Sequence, residues 1–499
     1  MAPLISVYYF GEVEIAYWEW LLGGLYVFLL YVSFARTKAI MIKKAPEYQY
    51  YVWGMLAKVF GGMAFTLIYF YYYAGGDAAG YYFSALAMRN LAVENPMEYL
   101  HQMMGDNSME AWSKYTLSTA KPLQYLFFED RTFTVIRLVS VFSFFTFKSF
   151  LVTALLVASM SFYGPWACYR TFVSYYPQLY RQLAIAFLFM PSVIFWGSAI
   201  LKDTFTFSAT CWWVHAVDEA FFKRRRLHWN YVGVAISGLM LIAIKPYIFM
   251  VLFPATVLWL LYFRVVKVRN LLFRFVLLPI GIVSMVGVSV LVLSRLGSML
   301  DKFALEDALV TIQVTQGDLS NAAAYGKNSF ELGEFDGTWT GVLSKFPVAV
   351  NAALFRPYLW EARNVMMRLS GLENLWILGV TILAILRAGP RFFVQSLLGT
   401  PLLLMTIVFS ILFAFIVGVT TPNFGALVRF KIPMVPFYIS TMVIVVYLAR
   451  VKRALEQRNL KFDLREFRMG TGHIKDIVDV VRRKRKAPAP NKVGQPTGR

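Results

Sequence analysis

Charge is scarce in this chain, and what there is comes in patches. Asp, Glu, Lys and Arg make up 15% of the 499 residues, against roughly 25% in an ordinary soluble domain, which argues against a large soluble domain. Cysteine is scarcer still: Cys168 and Cys211 are the only two, each inside an apolar run, so no disulfide or thiolate metal framework is implied. The four histidines, His101, His215, His228 and His473, form no ligand-like pair, which leaves carboxylates alone for any metal. No cofactor is indicated, and a divalent metal is left open. The G-x-x-x-x-G-K-[ST] phosphate loop is absent, against an ATP-driven pump, and no internal repeat is visible. The first fourteen residues, MAPLISVYYFGEVE, carry no basic stretch, so no cleavable signal peptide is expected.

Apolar and aromatic residues fill the remainder, at 58% and 17%. The apolar runs recur at about 18–22 residues, enough for a helix to cross a hydrocarbon core of roughly 30 Å. They lack the alternation of a barrel strand. The expected fold is therefore all-α, a polytopic transmembrane helical protein.

A formal net charge of +21 would suit nucleic acid, but its distribution points elsewhere. Basic clusters fall between apolar runs: RTKAIMIKK at 36–44, KRRR at 223–226, RVVKVRNLLFR at 264–274, RAGPR at 387–391, and the tail from Val451. They read as cytoplasmic loops under the positive-inside rule. No nucleic-acid partner is expected. The tail, 451–499, holds fourteen Lys and Arg against five Asp and Glu, including RRKRK at 482–486. It reads as a basic cytoplasmic segment facing anionic lipids, disordered towards its Pro- and Gly-rich end.

Parity then fixes a topology of eleven spans over about 16–35, 52–73, 149–169, 183–200, 203–221, 230–244, 247–263, 272–294, 372–388, 395–418 and 432–450. The N-terminus lies outside and the C-terminus in the cytoplasm. The transmembrane domain covers 1–450, with external segments at 74–148 and 295–371. Within the first, RTFTVIRLVSVFSFFTFK at 131–148 is apolar but interrupted by Arg137, which suits an interfacial helix.

Four stretches beside external span ends carry the chemistry. In GGDAAGYY, two glycines permit a tight turn that holds Asp77 at the surface, with Tyr81 nearby. Asp77 reads either as the cap of the following helix or as a catalytic base. In PSVIFWGSAILKD, Lys202 and Asp203 either pair with each other or face a cavity, where Lys202 holds an anionic headgroup. In FRPYLWEARN, Arg356, Trp360 and Glu361 read either as an aromatic belt with snorkelling arginines or as a site binding phosphate and a polar ring. In GVTTPNFGALVRFKIP, Arg429 and Lys431 lie outside against the charge bias, as cations given an anion to bind.

An acid, several cations and many aromatics on one surface fit an enzyme that takes an anionic lipid-anchored donor. The layout resembles the multi-spanning C-type glycosyltransferases that use polyprenyl-phosphate sugars. GGDAAGYY is similar to their acidic position at the start of the first large external loop, and residues 131–148 to the interfacial helix of that loop. LVRFKIPMVPFY resembles the Arg-(aromatic)-x-x-Pro segment before a late span, found also in polysaccharide polymerases. PSVIFWGSAILKD is similar to a stretch of bacterial envelope membrane proteins. The chain departs from the pattern in two ways: its large loop follows the second span, and Asp77 is followed by alanines where many members carry a second acid.

The resemblance implies a bacterial inner-membrane enzyme of cell-envelope polysaccharide synthesis. It would transfer a sugar from a lipid-linked donor to a glycan, lipid or protein acceptor, with Asp77 catalytic. The alternatives are an O-antigen-type polymerase whose Arg356 and Arg429 bind pyrophosphate, and a transporter or flippase for a lipid-linked or anionic solute. An outer cavity holding both Asp77 and Arg429 is expected of the enzyme, a midplane cavity of the transporter.

Overall fold

The computed structural model describes residues 15–73, 75–265, 308–320, 329–330 and 338–457, with Val283, Gly287 and Asn459 besides. The expected span over 272–294, much of the second external segment and nearly all of the tail lie outside the described residues.

Among the described residues every extended element is helical, and the one non-helical pairing is an antiparallel bridge between Ser329 and Asn423. The first part comprises α1 (Tyr17–Met41), α2 (Tyr51–Tyr71), α3 (Asp77–Glu94), α4 (Pro96–Met103), α5 (Met109–Ser113), α6 (Gln124–Phe127), α7 (Asp130–Ser143), α8 (Phe150–Ser161), α9 (Tyr163–Tyr175), α10 (Tyr180–Ala184), α11 (Pro191–Trp196), α12 (Lys202–Val217), α13 (Leu227–Ile244) and α14 (Pro246–Val265). The second comprises α15 (Ala308–Ser320), α16 (Trp339–Ser344), α17 (Phe346–Phe355), α18 (Val365–Ala388), α19 (Pro390–Gly399), α20 (Pro401–Thr420), α21 (Phe424–Phe430) and α22 (Val435–Glu456). Proline opens α4, α11, α14, α19 and α20. Its missing amide hydrogen costs nothing at a first helical position, and its fixed φ is already helical.

Among the described residues seven helices are long and apolar enough to cross a membrane: Tyr17–Met41, Pro46–Tyr71, Phe150–Tyr175, Leu227–Ile244, Val365–Ala388, Pro401–Thr420 and Val435–Glu456. The expected span over 247–263 falls on α14, a shorter apolar helix. Those over 183–200 and 203–221 fall on an interrupted hairpin. Its first arm runs α10, a π-helical turn at Ile185–Phe189, then α11; an irregular stretch 197–201 follows, and α12 returns. Pro191 cannot donate the amide hydrogen that would continue the helix through Met190. Lys58, 1% exposed in α2, then donates to the carbonyls of Val193 and Gly197 at the end of α11.

Residues 131–148 do hold a helix, α7, but Arg137 points inward. Its Nε donates to the Gln102 carbonyl at 2.6 Å, and its Nη2 to Asn107. Phe133, Val135 and Ile136 are wholly buried, so α7 is a packed strut against α3.

Glycines set the closest helix contacts. A Cβ on Gly61 would collide with the Ile194 backbone of α11, and one on Gly418 with the Ala349 backbone of α17. Small residues allow this approach between apolar helices. The two parts share a core: Phe172 and Phe187 meet Phe437 of α22 at ring distances of 6.1 and 5.8 Å.

Candidate functional site

The glycines before Asp77 take the backbone geometry their type permits. Gly75 and Gly76 have φ of +125° and +129°, a region that side chains rarely enter. The Gly75 amide donates to the Tyr69 carbonyl at 2.9 Å, closing the turn. A Cβ on Gly76 would lie 2.9 Å from the Tyr69 ring. Gly76 is the N-cap of α3, and Asp77 is its first helical residue. The Asp77 side chain makes no cap bond, so the capping alternative fails: its carboxylate accepts from Nη1 of Arg429 at 2.9 Å.

Arg429 comes from the far end of the chain on α21. Asn423 caps that helix, accepting from the amides of Gly425 and Ala426 at 3.0 and 3.2 Å. The guanidinium Nε donates to Asp203 at 2.6 Å, and the other Asp203 oxygen accepts from Lys245 at 2.6 Å. The result is an alternating row, Asp77, Arg429, Asp203 and Lys245, built from the starts of α3 and α12, the junction of α13 and α14, and α21. Two carboxylates offset two cations, the condition under which buried charges are tolerated. Burial pulls the guanidinium pKa down, but Asp203 and then Asp77 outweigh it and raise it above the usual arginine value.

Lys202 and Asp203 do not pair with each other. Successive helical residues point to different sides, and Lys202 instead meets Glu129, the cap of α7, at 2.8 Å. Tyr81 lies one turn beyond Asp77 on α3 and is buried; burial, and Asp77 after it, hold its hydroxyl above the ordinary tyrosine range.

Asp77 and Arg429 open onto one cavity of about 460 Å³, whose walls include Tyr69, Tyr73, Asn364 and Asn423. It shares Phe195, Trp196, Met366 and Ser370 with an apolar groove of about 550 Å³ between α2, α11 and α18. Trp53 and Phe60 line that groove while staying 62% and 63% exposed, so it is open along the flank of a candidate span. Glu373 lines it too, accepting from the Ser192 amide at 2.7 Å and so tying α18 to the start of α11.

The remaining expected site residues gather elsewhere, behind α21. Arg356 binds Glu361, with Nε to Oε1 at 3.0 Å, and its guanidinium stands 4.4 Å from the Phe330 ring and 5.2 Å from that of Phe424. Trp360 is 80% exposed and stacks on Tyr358 at 4.7 Å. Lys431 is buried, donating to Asn374 at 2.6 Å and to the Arg356 carbonyl at 3.5 Å. Burial lowers its pKa to about 8.

The structure thus brings Asp77, Asp203 and Arg429 together, with Tyr81 and Lys202 beside them, and sets Arg356, Trp360, Glu361 and Lys431 apart. Sequence reasoning missed Lys245 and Glu129. A lysine before proline at the end of the 230–244 run was the available signal for the first; the charged pair opening α7 was that for the second. Among the described residues no cluster of three or more His, Cys, Asp or Glu side chains forms a metal nest.

Compared with known proteins, the chain matches no family model, no curated protein and no solved structure.

Chemically, the arrangement offers a half-exposed carboxylate, a fixed guanidinium and aromatic faces within one cavity, next to an apolar channel. It can take an amphiphile with an anionic head and accept a proton beside it.

Proposed function

We propose that this chain is an integral membrane glycosyltransferase. It takes a sugar from a polyprenyl-linked donor and passes it to a glycan, lipid or protein acceptor on the external, periplasmic face of a bacterial inner membrane, in cell-envelope polysaccharide or glycoconjugate synthesis. One observation carries the reading: Asp77 and Arg429 meet at 2.9 Å in a cavity that adjoins an apolar groove.

Each part then has a task. The groove takes the polyprenyl tail, and Arg429 receives the phosphate. Tyr69, Tyr73 and Trp196 offer ring faces to the sugar. The acceptor hydroxyl oxygen bonds to the anomeric carbon as the bond from that carbon to the phosphate oxygen breaks. The phosphate leaves with the electron pair, stabilised by Arg429, and Asp77 takes the hydroxyl proton. The test is transfer by purified protein from a panel of polyprenyl-phosphate and polyprenyl-pyrophosphate sugars. Asp77→Asn should reduce the rate by about 10²–10⁴-fold, the usual contribution of a positioned base. Unchanged transfer by a folded Asp77→Asn protein would remove Asp77 from catalysis.

A second reading, as a flippase, draws on the interrupted hairpin and the buried Lys58, since broken helices near buried charge are a transporter device. Passage of a fluorescent lipid-linked sugar across vesicles holding the purified chain, without sugar transfer, would favour it. In the polymerase alternative Arg356 binds pyrophosphate, yet its guanidinium is engaged by Glu361 and does not line the cavity.

A further inference from the structure

The two carboxylates on Arg429 are held very differently. Asp203 is 1% exposed, and both of its oxygens are engaged, one by Arg429 and one by Lys245. Asp77 is 54% exposed, and among the described residues Arg429 is its one ion-pair partner. Removing Asp203 would strand the buried Lys245 and leave Arg429 with Asp77 alone, whereas Asp77 can leave at little cost, as an exposed ion pair can.

The charge count makes that difference consequential. With two carboxylates facing two cations, the row offers no surplus positive charge to an incoming anion. A phosphate gains an unpaired cation only when one carboxylate withdraws, and Asp77 alone is placed to do so. Its side chain is more than half exposed, and the bond from Arg429 Nη1 is what holds it on the row, so a change of side-chain rotamer releases it without moving the glycine turn.

We propose that Asp77 and the phosphate of an incoming isoprenyl amphiphile are alternative occupants of the Nη1 position of Arg429, so that anion binding itself releases the carboxylate. Asp203 is then a positioning residue that holds Nε and fixes the plane of the guanidinium. Asp77 holds the edge of the guanidinium that the phosphate would take. Donor binding would therefore free the Asp77 carboxylate from Arg429 only when there is a leaving group to expel. This inference rests on the glycosyltransferase reading for the identity of the anion, but its test does not require transfer.

The experiment measures the affinity of the purified full chain in lipid nanodiscs for geranyl phosphate and, separately, for inorganic phosphate. Asp77→Asn and Asp77→Ala should each bind geranyl phosphate more tightly than wild type, by roughly fivefold, which is what one half-exposed ion pair contributes. Arg429→Gln should lose binding. If neither Asp77 variant binds more tightly while Arg429→Gln loses affinity, the exchange is overturned and the anion site stands. An equal affinity and an equal gain for inorganic phosphate would overturn the amphiphile part and assign Arg429 to free phosphate. Absence of binding by wild type and both Asp77 variants overturns the proposal outright. Transfer assays separate it from the catalytic reading: tighter binding by Asp77→Asn with unimpaired transfer keeps the exchange and removes the base.

Discussion

Asp203 does more for the fold than Asp77 does, although both are aspartates on one arginine. Asp203→Asn leaves the buried Lys245 beside an uncharged amide and takes one of two carboxylates from Arg429, and should destabilise the protein by about 3–5 kcal/mol. Asp77→Asn, at a half-exposed pair, should cost about 1 kcal/mol or less. Thermal unfolding of both variants in one detergent checks this, and equal shifts would contradict it. Lys431 gives a pH signature. Its pKa falls from 10.5 to about 8 in the folded chain, so between these values the unfolded state binds the extra proton and stability rises with pH. Wild type should therefore gain stability relative to Lys431→Met between pH 8 and 10 and show no such gain below pH 7. Legibility at this scale followed isolation. Asp77 stood out as a lone acid after an apolar run, and Arg429, with Lys431, as a cation set against the charge bias. Lys245 read only as a marker of orientation, because its partner lies 42 residues away, and the Lys202 pairing with Glu129 depends on a helix phase that adjacency in sequence conceals.

Helices were the most legible level, because the length and composition of an apolar run already determine whether it can cross a membrane. Seven of the eleven expected spans fall on such helices. The stretch 183–221 was harder: Pro191 and Gly197 were visible as interruptions, but the π-helical turns and the Lys58 bonds that hold the hairpin come from tertiary packing. Where α2 meets α11, Gly61 leaves no room for a methyl group. Gly61→Ala should separate the two helices and lower stability by about 1–3 kcal/mol through overpacking. It should also weaken geranyl phosphate binding, because Gly61 lines the groove. Unfolding midpoints and the binding assay together check this. A stability loss with unaltered affinity would separate the groove from the anion site.

At the scale of the whole molecule, the orientation derived from charge parity is open to a direct check. Cys168 and Cys211 are buried and should give little background to an impermeant thiol reagent. Tyr72→Cys, at an exposed position after α2, should be labelled from outside intact cells. Arg225→Cys, exposed between α12 and α13, should be labelled only after permeabilisation. The opposite pattern would invert the topology and with it the face on which the reaction is proposed. The chain's overall charge bias was readable in composition, but the convergence of Asp77 with Arg429 across 352 residues was not, since no local pattern encodes a contact at that distance.

That distance has a consequence for how the protein is made. Lys245 follows Asp203 by 42 residues, so the first carboxylate to be buried finds its ammonium while the chain is half synthesised. Arg429 emerges 226 residues after Asp203, when Asp77 and Asp203 are both already in place. Each cation of the row thus arrives to meet a carboxylate that preceded it, and the insertion machinery never has to hold the late arginine at the membrane without a counter-ion. A chain stopped before α21 would keep a neutral Asp203 and Lys245 pair, leave Asp77 without its cation, and lack the site altogether.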